Sequence, residues 1–293
     1  EKCFVTQSTL STMINKLERE VGVRIFNRKT KPVTVTSEGQ QLIERMRIIM
    51  NEVDLLKNVI QEIKGEMVGK FTIGVIPTVA PYLLPLFLER FAIAFPKVLI
   101  KVKEMPTATI QKEISARNID IGILALPLNQ KDLKEISMYE EPFLLYDCSE
   151  DEKPEEVAIN ELEFERLSLL EEGHCLRTQV HEICKISEEA RAKNVNYQFE
   201  SGSMESLVRI TQSRKGMTVL PYLAVDSLQP DQQKNLVNFS APVPSRDIGI
   251  VTHQYFAKQV LLQGLVQYIQ QGIQDLLPQV SESQIIPPLS DSI

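Results

Sequence analysis

No stretch of 18 or more consecutive apolar residues occurs in the sequence, and residues 1–4 do not resemble the start of a secretory signal. These absences predict a cytoplasmic protein with no membrane partner. Cysteine is scarce as well: four residues in 293 are too few for a disulfide scaffold, and a reducing compartment would keep them as thiols. The length, with 43% hydrophobic residues, is enough for two or three domains.

Positive charge is also in short supply, since the net charge of −7 argues against a protein that binds nucleic acid over its whole surface. Residues 1–36 are the exception, with seven Lys or Arg residues against three acidic ones. A small basic head on an acidic body is suited to local contact with phosphate groups.

The head has the pattern of an amphipathic helix followed by a basic turn. Thr6 is a suitable N-cap, and apolar residues follow at helical spacing: Leu10, Ile14, Leu17 and Val21. We expect this face to be buried and the other to be free. The alternation at 33–36 after Pro32 predicts a small β-hairpin or wing, as in a winged helix-turn-helix. A solvated surface helix is the alternative.

The free face of this helix and the turn offer donors and acceptors that match base edges and phosphates. The predicted DNA-binding residues are Gln7, Ser8, Thr9, Ser11, Thr12, Asn15 and Arg28.

The next segment, 37–68, has the heptad pattern of a coiled coil. Apolar residues recur at alternating spacings of four and three residues: Leu42, Met46, Ile49, Val53, Leu56, Ile60, Ile63 and Met67. Because so long a seam has no partner within a short helix, it predicts pairing with a second copy, which would present two heads to two half-sites. A core helix of a single domain is the alternative.

From Gly69 onwards, short apolar β runs alternate with helical stretches, which predicts an α/β body with mostly parallel sheets. Strands are expected at 71–76, 98–103, 119–125, 141–147, 167–170, 196–200, 217–220 and 248–252, and helices at 82–95, 110–117 and 259–276. Two such lobes joined by crossing segments would leave a ligand cleft between them. From Pro278 the Ser, Gln and Pro content predicts a disordered tail.

Over essentially its full length the chain resembles the LysR-type transcriptional regulators. In the head the match lies in residues 7–11 (QSTLS), 17–23 (LEREVGV), 26–28 (FNR) and 36–39 (TSEG). The resemblance implies double-stranded DNA, RNA polymerase and further copies of the chain, in a dimer or tetramer, as partners.

The resemblance also implies a multidomain fold with four parts. These are a truncated winged helix-turn-helix head at 1–36 that lacks the family's first helix, a long coiled-coil linker helix at 37–68, a two-lobed α/β, periplasmic-binding-protein-like regulatory domain at 69–277, and a tail at 278–293.

Within that family the body is similar to the OxyR branch of hydrogen peroxide sensors. The match lies in residues 76–79 (IPTV), 81–85 (PYLLP), 170–177 (LEEGHCLR) and 203–207 (SMESL). It implies a regulator that is not an enzyme and needs no cofactor, in which Cys175 is oxidised, pairs reversibly with Cys184 and is reduced by thioredoxin or glutaredoxin. The implied peroxide pocket comprises Thr78, Thr107, His174, Arg177 and, at the position of the family's late arginine, His253.

The segment between the two cysteines has a helical pattern from Leu176 to Ala190. Cys175 would lie at its N-terminus, where the helix dipole favours a thiolate. Nine helical residues rise about 13.5 Å, whereas a disulfide requires Cα atoms within about 7 Å. If Cys175 and Cys184 join, the helix must therefore unravel, and the bond would act as a conformational lever.

Two other functions remain open. A LysR-type regulator could instead bind a small metabolite in the cleft, with Thr78 and Ser203 as polar anchors. A thiol peroxidase would turn over peroxide continuously, but it would have no use for the basic head or the heptad seam.

The cysteines also have less specific interpretations. Cys175 and Cys184 could be unrelated buried thiols, which is what we expect of Cys3 and Cys148. A metal site built from the first two and His181 would lack a fourth ligand, so no metal is expected.

Overall fold

The computed structural model describes residues 5–63, 67–162, 166–184 and 201–288. By their internal contacts the residues divide into two units, at 1–57 and 58–293. The strand expected at 196–200 and the end of the helix expected at 176–190 lie outside the described residues. Within the described ranges, no helix combines the length and the hydropathy needed to cross a membrane.

The first unit contains a helix, a hairpin and the start of a long helix: α1 (Gln7–Val21), β1 (Phe26–Asn27), β2 (Thr34–Val35) and α2 (Ser37–Ile63). The hydroxyl of Thr6 caps α1 by accepting a hydrogen bond from the backbone N–H of Thr9. The helix stops at Gly22, whose φ of 72° is readily adopted only without a Cβ. Since β1 and β2 pair antiparallel, the predicted helix and wing are both present.

The predicted burial of one face of α1 is not met within the described residues. None of its side chains is buried there, and Leu10 is 39% exposed. Ile25, between α1 and β1, is the one buried hydrophobic side chain described in this unit.

The segment with the heptad pattern is helical from Ser37 to Ile63, as α2. Four of its seam residues are between 44% and 61% exposed: Ile49, Val53, Leu56 and Ile60. Met67, the last residue of the pattern, packs instead against the core of the second unit. Pairing of the seam with another chain remains a prediction.

The second unit is built on one curled sheet. Its strands are β3 (Gly69–Val75), β4 (Val98–Glu104), β5 (Ile121–Leu126), β6 (Leu133–Asp147), β7 (Glu156–Val157), β8 (Met217–Pro221), β9 (Leu236–Phe239), β10 (Val243–His253) and β11 (Ser283–Ile285). The order is β4-β3-β5-β10-β6-β9-β7, with β8 beside β6 and β11 beside β10.

The expectation of mostly parallel strands is correct only near the start of the body. There β3 is parallel to β4 and β5. The two long strands, β6 and β10, are antiparallel to each other. β6 is also antiparallel to β8 and β9, and β10 is antiparallel to β5. At 167–170, where a strand was predicted, only isolated bridges at Leu167 and Leu170 occur.

Helices cover this sheet: α3 (Ala80–Ala94), α4 (Thr107–Ser115), α5 (Cys175–Cys184), α6 (Met204–Ser213), α7 (Pro230–Gln233) and α8 (Gln259–Ile273). Two hydrophobic cores result. The first lies around β3 to β5 with α3, α4 and α8, and the second around β8 and β9 with α5 and α6. β6 enters both, because Tyr139 belongs to the first core and Phe143 to the second.

The predicted disorder from residue 278 is wrong for the part that forms β11. This strand pairs parallel with the start of β10, and the next side chain, Ile286, is buried in the second core. The side chain of Gln179, on α5, donates a hydrogen bond of 2.8 Å to the carbonyl of Ile286. A polar composition did not prevent order here, because the strand completes a ladder and seats one apolar side chain.

Ile286→Asp should lower the free energy of unfolding by about 3 kcal/mol, since it places a carboxylate in the second core. Ile285→Asp is the matched control, because Ile285 is 36% exposed whereas Ile286 is 4% exposed. Urea denaturation followed by circular dichroism measures both. Equal midpoints for the two variants would contradict the packing of this strand.

Candidate functional site

Cys175 lies at the junction of the two cores. It is the first residue of α5, its thiol is free, and it is only 5% exposed. Its side chain belongs to the first core, whereas that of the next residue, Leu176, belongs to the second. We call the parts of the second unit around these two cores the first and the second lobe. Any change at this sulfur therefore acts where the two lobes meet.

A buried ion pair lies beside the thiol. Arg246 on β10 and Glu141 on β6 are direct partners in the antiparallel ladder, and both side chains are buried. Nε and Nη2 of the arginine lie 2.9 and 2.8 Å from Oε2 of the glutamate. Oε1 accepts a further hydrogen bond of 2.8 Å from the backbone N–H of Leu223, so both carboxylate oxygens have donors.

The guanidinium of Arg246 also holds Thr78, which lies just after β3. Its Nη1 donates to the threonine hydroxyl and its Nη2 to the threonine carbonyl, each at 3.1 Å. The ring of Phe143 lies 5.9 Å from the guanidinium carbon. The positive charge is therefore fixed in position by partners from β6 and from the loop after β3.

Thr107 supplies a second hydroxyl. It is the first residue of α4, it is buried, and within the described residues its Oγ1 has no hydrogen bond of good geometry. It still acts on the sulfur electrostatically, since it is among the groups that lower the pKa of Cys175. Its hydroxyl can therefore still donate fully to a ligand or to a thiolate.

The pKa of the Cys175 thiol is raised above its ordinary value, because burial outweighs the groups that favour the thiolate. Those groups are, in descending order, the charge of Arg246, the hydroxyls of Thr107 and Thr78, and the backbone N–H of Leu176. Sequence reasoning anticipated the helix terminus and the hydroxyls but not the dominance of burial. At neutral pH the resting sulfur is a thiol.

The two residues predicted to assist next to Cys175 are placed differently from each other. His174 is buried, with Nε2 3.7 Å from Oε1 of Glu171 and with an Nδ1 that has no hydrogen bond among the described residues. Arg177 donates to the carbonyl of Leu170 and pairs with Glu172 at 3.9 Å. The arginine is thus engaged in the loop before α5.

His253 is not brought to the site. It pairs with Leu133 at the far end of β10, seven residues from Arg246, which is about 23 Å of extended strand. Arg246, and not His253, is the basic residue of β10 that lies near Cys175 and Thr78. A signal for this was present, because Arg246 is the only arginine after Arg214 in the sequence. Glu141 was missed entirely, since one of two adjacent glutamates in a strand gives no sign of burial.

Both predicted redox cysteines belong to α5, which is unbroken between them. Cys175 begins the helix and Cys184 ends it, so their Cα atoms are separated by about 13.5 Å of helical rise. No disulfide can join them in this conformation. Cys148 is a free, buried thiol in the second core, as expected, whereas Cys3 lies outside the described residues. No metal-binding cluster of His, Cys, Asp or Glu occurs in the described part of the chain.

A cavity of about 660 Å³ opens beside the site, between the two lobes. Thr78, Tyr82 and His174 line one part of it, and Ser203 and Gln232 line another. Ser203 also caps α6, because its hydroxyl accepts a hydrogen bond from the N–H of Ser206. The cleft predicted from the sequence is therefore present, and Thr78 connects it to the buried arginine.

In the head, most of the predicted DNA-binding side chains are accessible. Gln7, Ser8, Thr9, Thr12 and Arg28 are exposed, while Ser11 and Asn15 are half-buried. Glu18 ties the helix to the wing, since its Oε1 accepts hydrogen bonds from the backbone N–H groups of Ile25 and Phe26. Oε2 of the same carboxylate lies 3.7 Å from Arg28.

Two family descriptions match this chain. Residues 1–40 match "Bacterial regulatory helix-turn-helix protein, lysR family", and residues 64–274 match "LysR substrate binding domain".

Individual relatives cover most of the chain. The DNA-binding transcriptional dual regulator OxyR of Escherichia coli K12 is 34% identical over 256 residues, or 86% of this chain and 82% of its own. The HTH-type transcriptional regulator EstR of Acinetobacter baylyi is 32% identical over 256 residues, or 86% of this chain and 83% of its own. A full-length OxyR variant from Pseudomonas aeruginosa superposes with a TM-score of 0.73 at 28% identity, covering 92% of this chain and 90% of that one.

Thr107→Val should raise the pKa of Cys175 further, because it removes a hydroxyl that favours the thiolate and leaves the volume unchanged. Alkylation of Cys175 at pH 8 should slow about fivefold, the effect expected for one hydrogen bond. Mass spectrometry of the Cys175 peptide after iodoacetamide treatment measures the rate.

Thr252→Val is the matched control for this substitution. Like Thr107, Thr252 is a buried threonine whose hydroxyl has no hydrogen bond among the described residues. It lies on β10 next to His253, at the end of the strand that is far from Cys175. It should leave the alkylation rate unchanged. If Thr107→Val also reacts at the wild-type rate, the hydroxyl does not act on the sulfur.

Proposed function

The chain belongs to the LysR family of bacterial transcriptional regulators, and from that premise we propose that it is a DNA-binding regulator which senses hydrogen peroxide by oxidation of Cys175. One observation carries the proposal. A buried thiol at a helix N-terminus lies beside a buried guanidinium and two threonine hydroxyls, one of them without a hydrogen-bond partner in the described residues. Groups of this kind favour a thiolate and stabilise the charge that develops on a departing oxygen.

The first step is nucleophilic. The Cys175 thiolate attacks one peroxide oxygen, the O–O bond breaks, and the departing hydroxide takes up a proton to become water, which leaves a sulfenic acid on the sulfur. Arg246 favours the thiolate, and its positive charge stabilises the negative charge that develops on the departing oxygen. The hydroxyls of Thr78 and Thr107 can donate to the two peroxide oxygens and align the O–O bond with the sulfur.

The second step would form the disulfide. The sulfur of Cys184 attacks that of Cys175, and the sulfenic oxygen leaves as water after protonation. Because about 13.5 Å of helical rise separates the two Cα atoms, α5 must lose its turns before the bond can form. A disulfide formed against helical structure would be strained, which suits reduction by thioredoxin or glutaredoxin.

Loss of α5 would change the second lobe. Leu176, Val180 and Ile183 on this helix are all buried in the second core, and Gln179 holds the carbonyl of Ile286. Unravelling the helix would withdraw these contacts together. The oxidised and reduced forms would therefore differ in packing well beyond the sulfur atoms.

The head and α2 would transmit that change to DNA. The polar face of α1 and the basic turn at Arg28 supply donors for base edges and phosphates, and the exposed seam of α2 would pair two copies. RNA polymerase would be the partner at a promoter, and the setting would be the cytoplasm.

A second candidate function is favoured by the cavity of about 660 Å³. A small metabolite held there by Thr78 and Ser203 would act on both lobes at once. In that case regulation would not depend on Cys175.

One equivalent of hydrogen peroxide should remove two thiols from the reduced chain, and peptide mapping should find a Cys175 to Cys184 crosslink. Cys148→Ser should behave like the wild type, and Cys184→Ser should stop at a sulfenic acid that dimedone traps. Far-ultraviolet circular dichroism should report a loss of helix on oxidation. Survival of both thiols in excess peroxide would sink the redox proposal and favour a ligand in the cleft.

Leu56→Asp should weaken dimer formation at least about tenfold, because it places a charge in the centre of the apolar seam. Arg47→Asp introduces the same side chain at an exposed position of α2 off the seam and should leave association unchanged. Sedimentation velocity over a concentration series separates the two. Similar association constants would show that the seam is not the contact.

A further inference from the structure

We propose that Glu141 is a positioning residue that competes with the sulfur of Cys175 for the guanidinium of Arg246 and thereby limits the reactivity of the thiol. The inference deepens the proposed function by assigning a residue that sets how readily the sensor thiol reacts. The competition itself is a property of the buried site and does not depend on peroxide.

The carboxylate of Glu141 is better placed than the sulfur of Cys175 to pair with the guanidinium of Arg246. Glu141 and Arg246 are ladder partners, so the backbone brings their side chains together without loop ordering. The glutamate takes Nε and Nη2 at 2.9 and 2.8 Å, while Thr78 takes Nη1 and Nη2 at 3.1 Å. A guanidinium has five N–H bonds, and three of them donate to Glu141 and Thr78, so at most two remain for a thiolate.

The glutamate is itself held for this role. Its Oε1 accepts from the backbone N–H of Leu223 and its Oε2 faces the arginine, so it cannot rotate without breaking a buried hydrogen bond. The carboxylate is therefore held beside the cation that the thiolate needs.

The other groups around the sulfur do not replace this charge. Tyr139, on β6, is neutral because burial foremost and then Glu141 raise the pKa of its phenol well above the usual value. Thr78 and Thr107 are uncharged hydroxyls from the loop after β3 and from α4. His174 precedes the thiol and has its Nε2 near Glu171. Arg246 and Glu141 are thus the opposed charges of β10 and β6 at this site.

Removal of the carboxylate charge should therefore activate the thiol. With glutamine at position 141, Arg246 would remain buried and charged without a counterion, and ionisation of Cys175 would supply one. The pKa of the thiol should fall by about one unit, which is the low end of the effect of a charge at this range. In the native protein, Glu141 adds to the effect of burial, and the resting sulfur is slower to react than it would be without the carboxylate.

The test is the pH profile of iodoacetamide alkylation at Cys175 in the full chain, followed by peptide mass. Glu141→Gln should react about tenfold faster than the wild type at pH 7, with its midpoint shifted to lower pH. Glu141→Asp keeps the charge and should retain a profile near that of the wild type. A folded Glu141→Gln variant with an unchanged or higher midpoint overturns the inference, since a merely structural role would change stability alone.

Arg246→Gln supplies the background that isolates the competition. There Glu141→Gln should have little effect, because the guanidinium for which the carboxylate and the sulfur compete is absent. An undiminished effect in that background would show that the glutamate acts on the sulfur by another route.

Should Glu141→Gln fail to fold, Arg246→Lys carries the test. An ammonium is a compact charge that pairs with Glu141 but cannot reach Thr78 at the same time, so Cys175 should alkylate about tenfold more slowly. An unchanged rate would overturn the inference. Alkylation requires no peroxide, so a chain that ignores peroxide but shows these shifts contradicts only the proposed function.

Discussion

The ion pair between Arg246 and Glu141 is the interaction on which the arrangement around Cys175 depends. Two charges excluded from water are costly unless each is compensated, and here each finds its partner directly across the β6 and β10 ladder. Further hydrogen bonds from Leu223 and to Thr78 satisfy most of what remains. The pair fixes the loop after β3, the pairing of the two long strands and the position of a positive charge near the sulfur. Changes at either residue would be felt at all three.

The surroundings of the thiol both favour and oppose its ionisation. Arg246, two hydroxyls and a helix terminus would favour a thiolate, yet burial raises the pKa of Cys175 overall. Burial also limits access to small, uncharged molecules, since a charged oxidant would have to shed its water to reach the sulfur. Selectivity and reactivity are therefore set by different groups: the surrounding core decides what reaches the sulfur, and the local charges decide how fast it reacts.

Much of this organisation could be predicted from the sequence. The features that could be predicted have one property in common, which is that they are local. The capped helix α1, the hairpin after it, the long helix α2 and the helix that begins at Cys175 are each encoded by neighbouring residues. Thr78 and Thr107 were identified through a resemblance that rests on contiguous motifs. Both hydroxyls lie near Cys175 in the fold, and their role in a peroxide pocket remains a prediction.

What the sequence did not reveal depends on distant partners. Arg246 reaches the site because β10 is in register with β6, and no spacing along the chain reports such a register. His253 was chosen instead, seven residues away on the same strand. Glu141 resembles any surface glutamate until its ladder partner is known, and β11 has a polar composition that conceals the seat of Ile286. The direction of β6 and β10 was missed for the same reason, since strand direction belongs to pairing and not to composition.

The sharing of β6 and β10 between the two cores has a consequence for cooperativity. One end of each strand packs in the first lobe and the opposite end packs in the second lobe. Neither lobe therefore has a complete sheet of its own. Melting of one lobe would expose the strands on which the other rests. The body should therefore behave as a single folding unit whose halves gain and lose order together. In such a unit, a perturbation of one lobe affects the other by changing the populations of the ordered and disordered states, without a hinge motion.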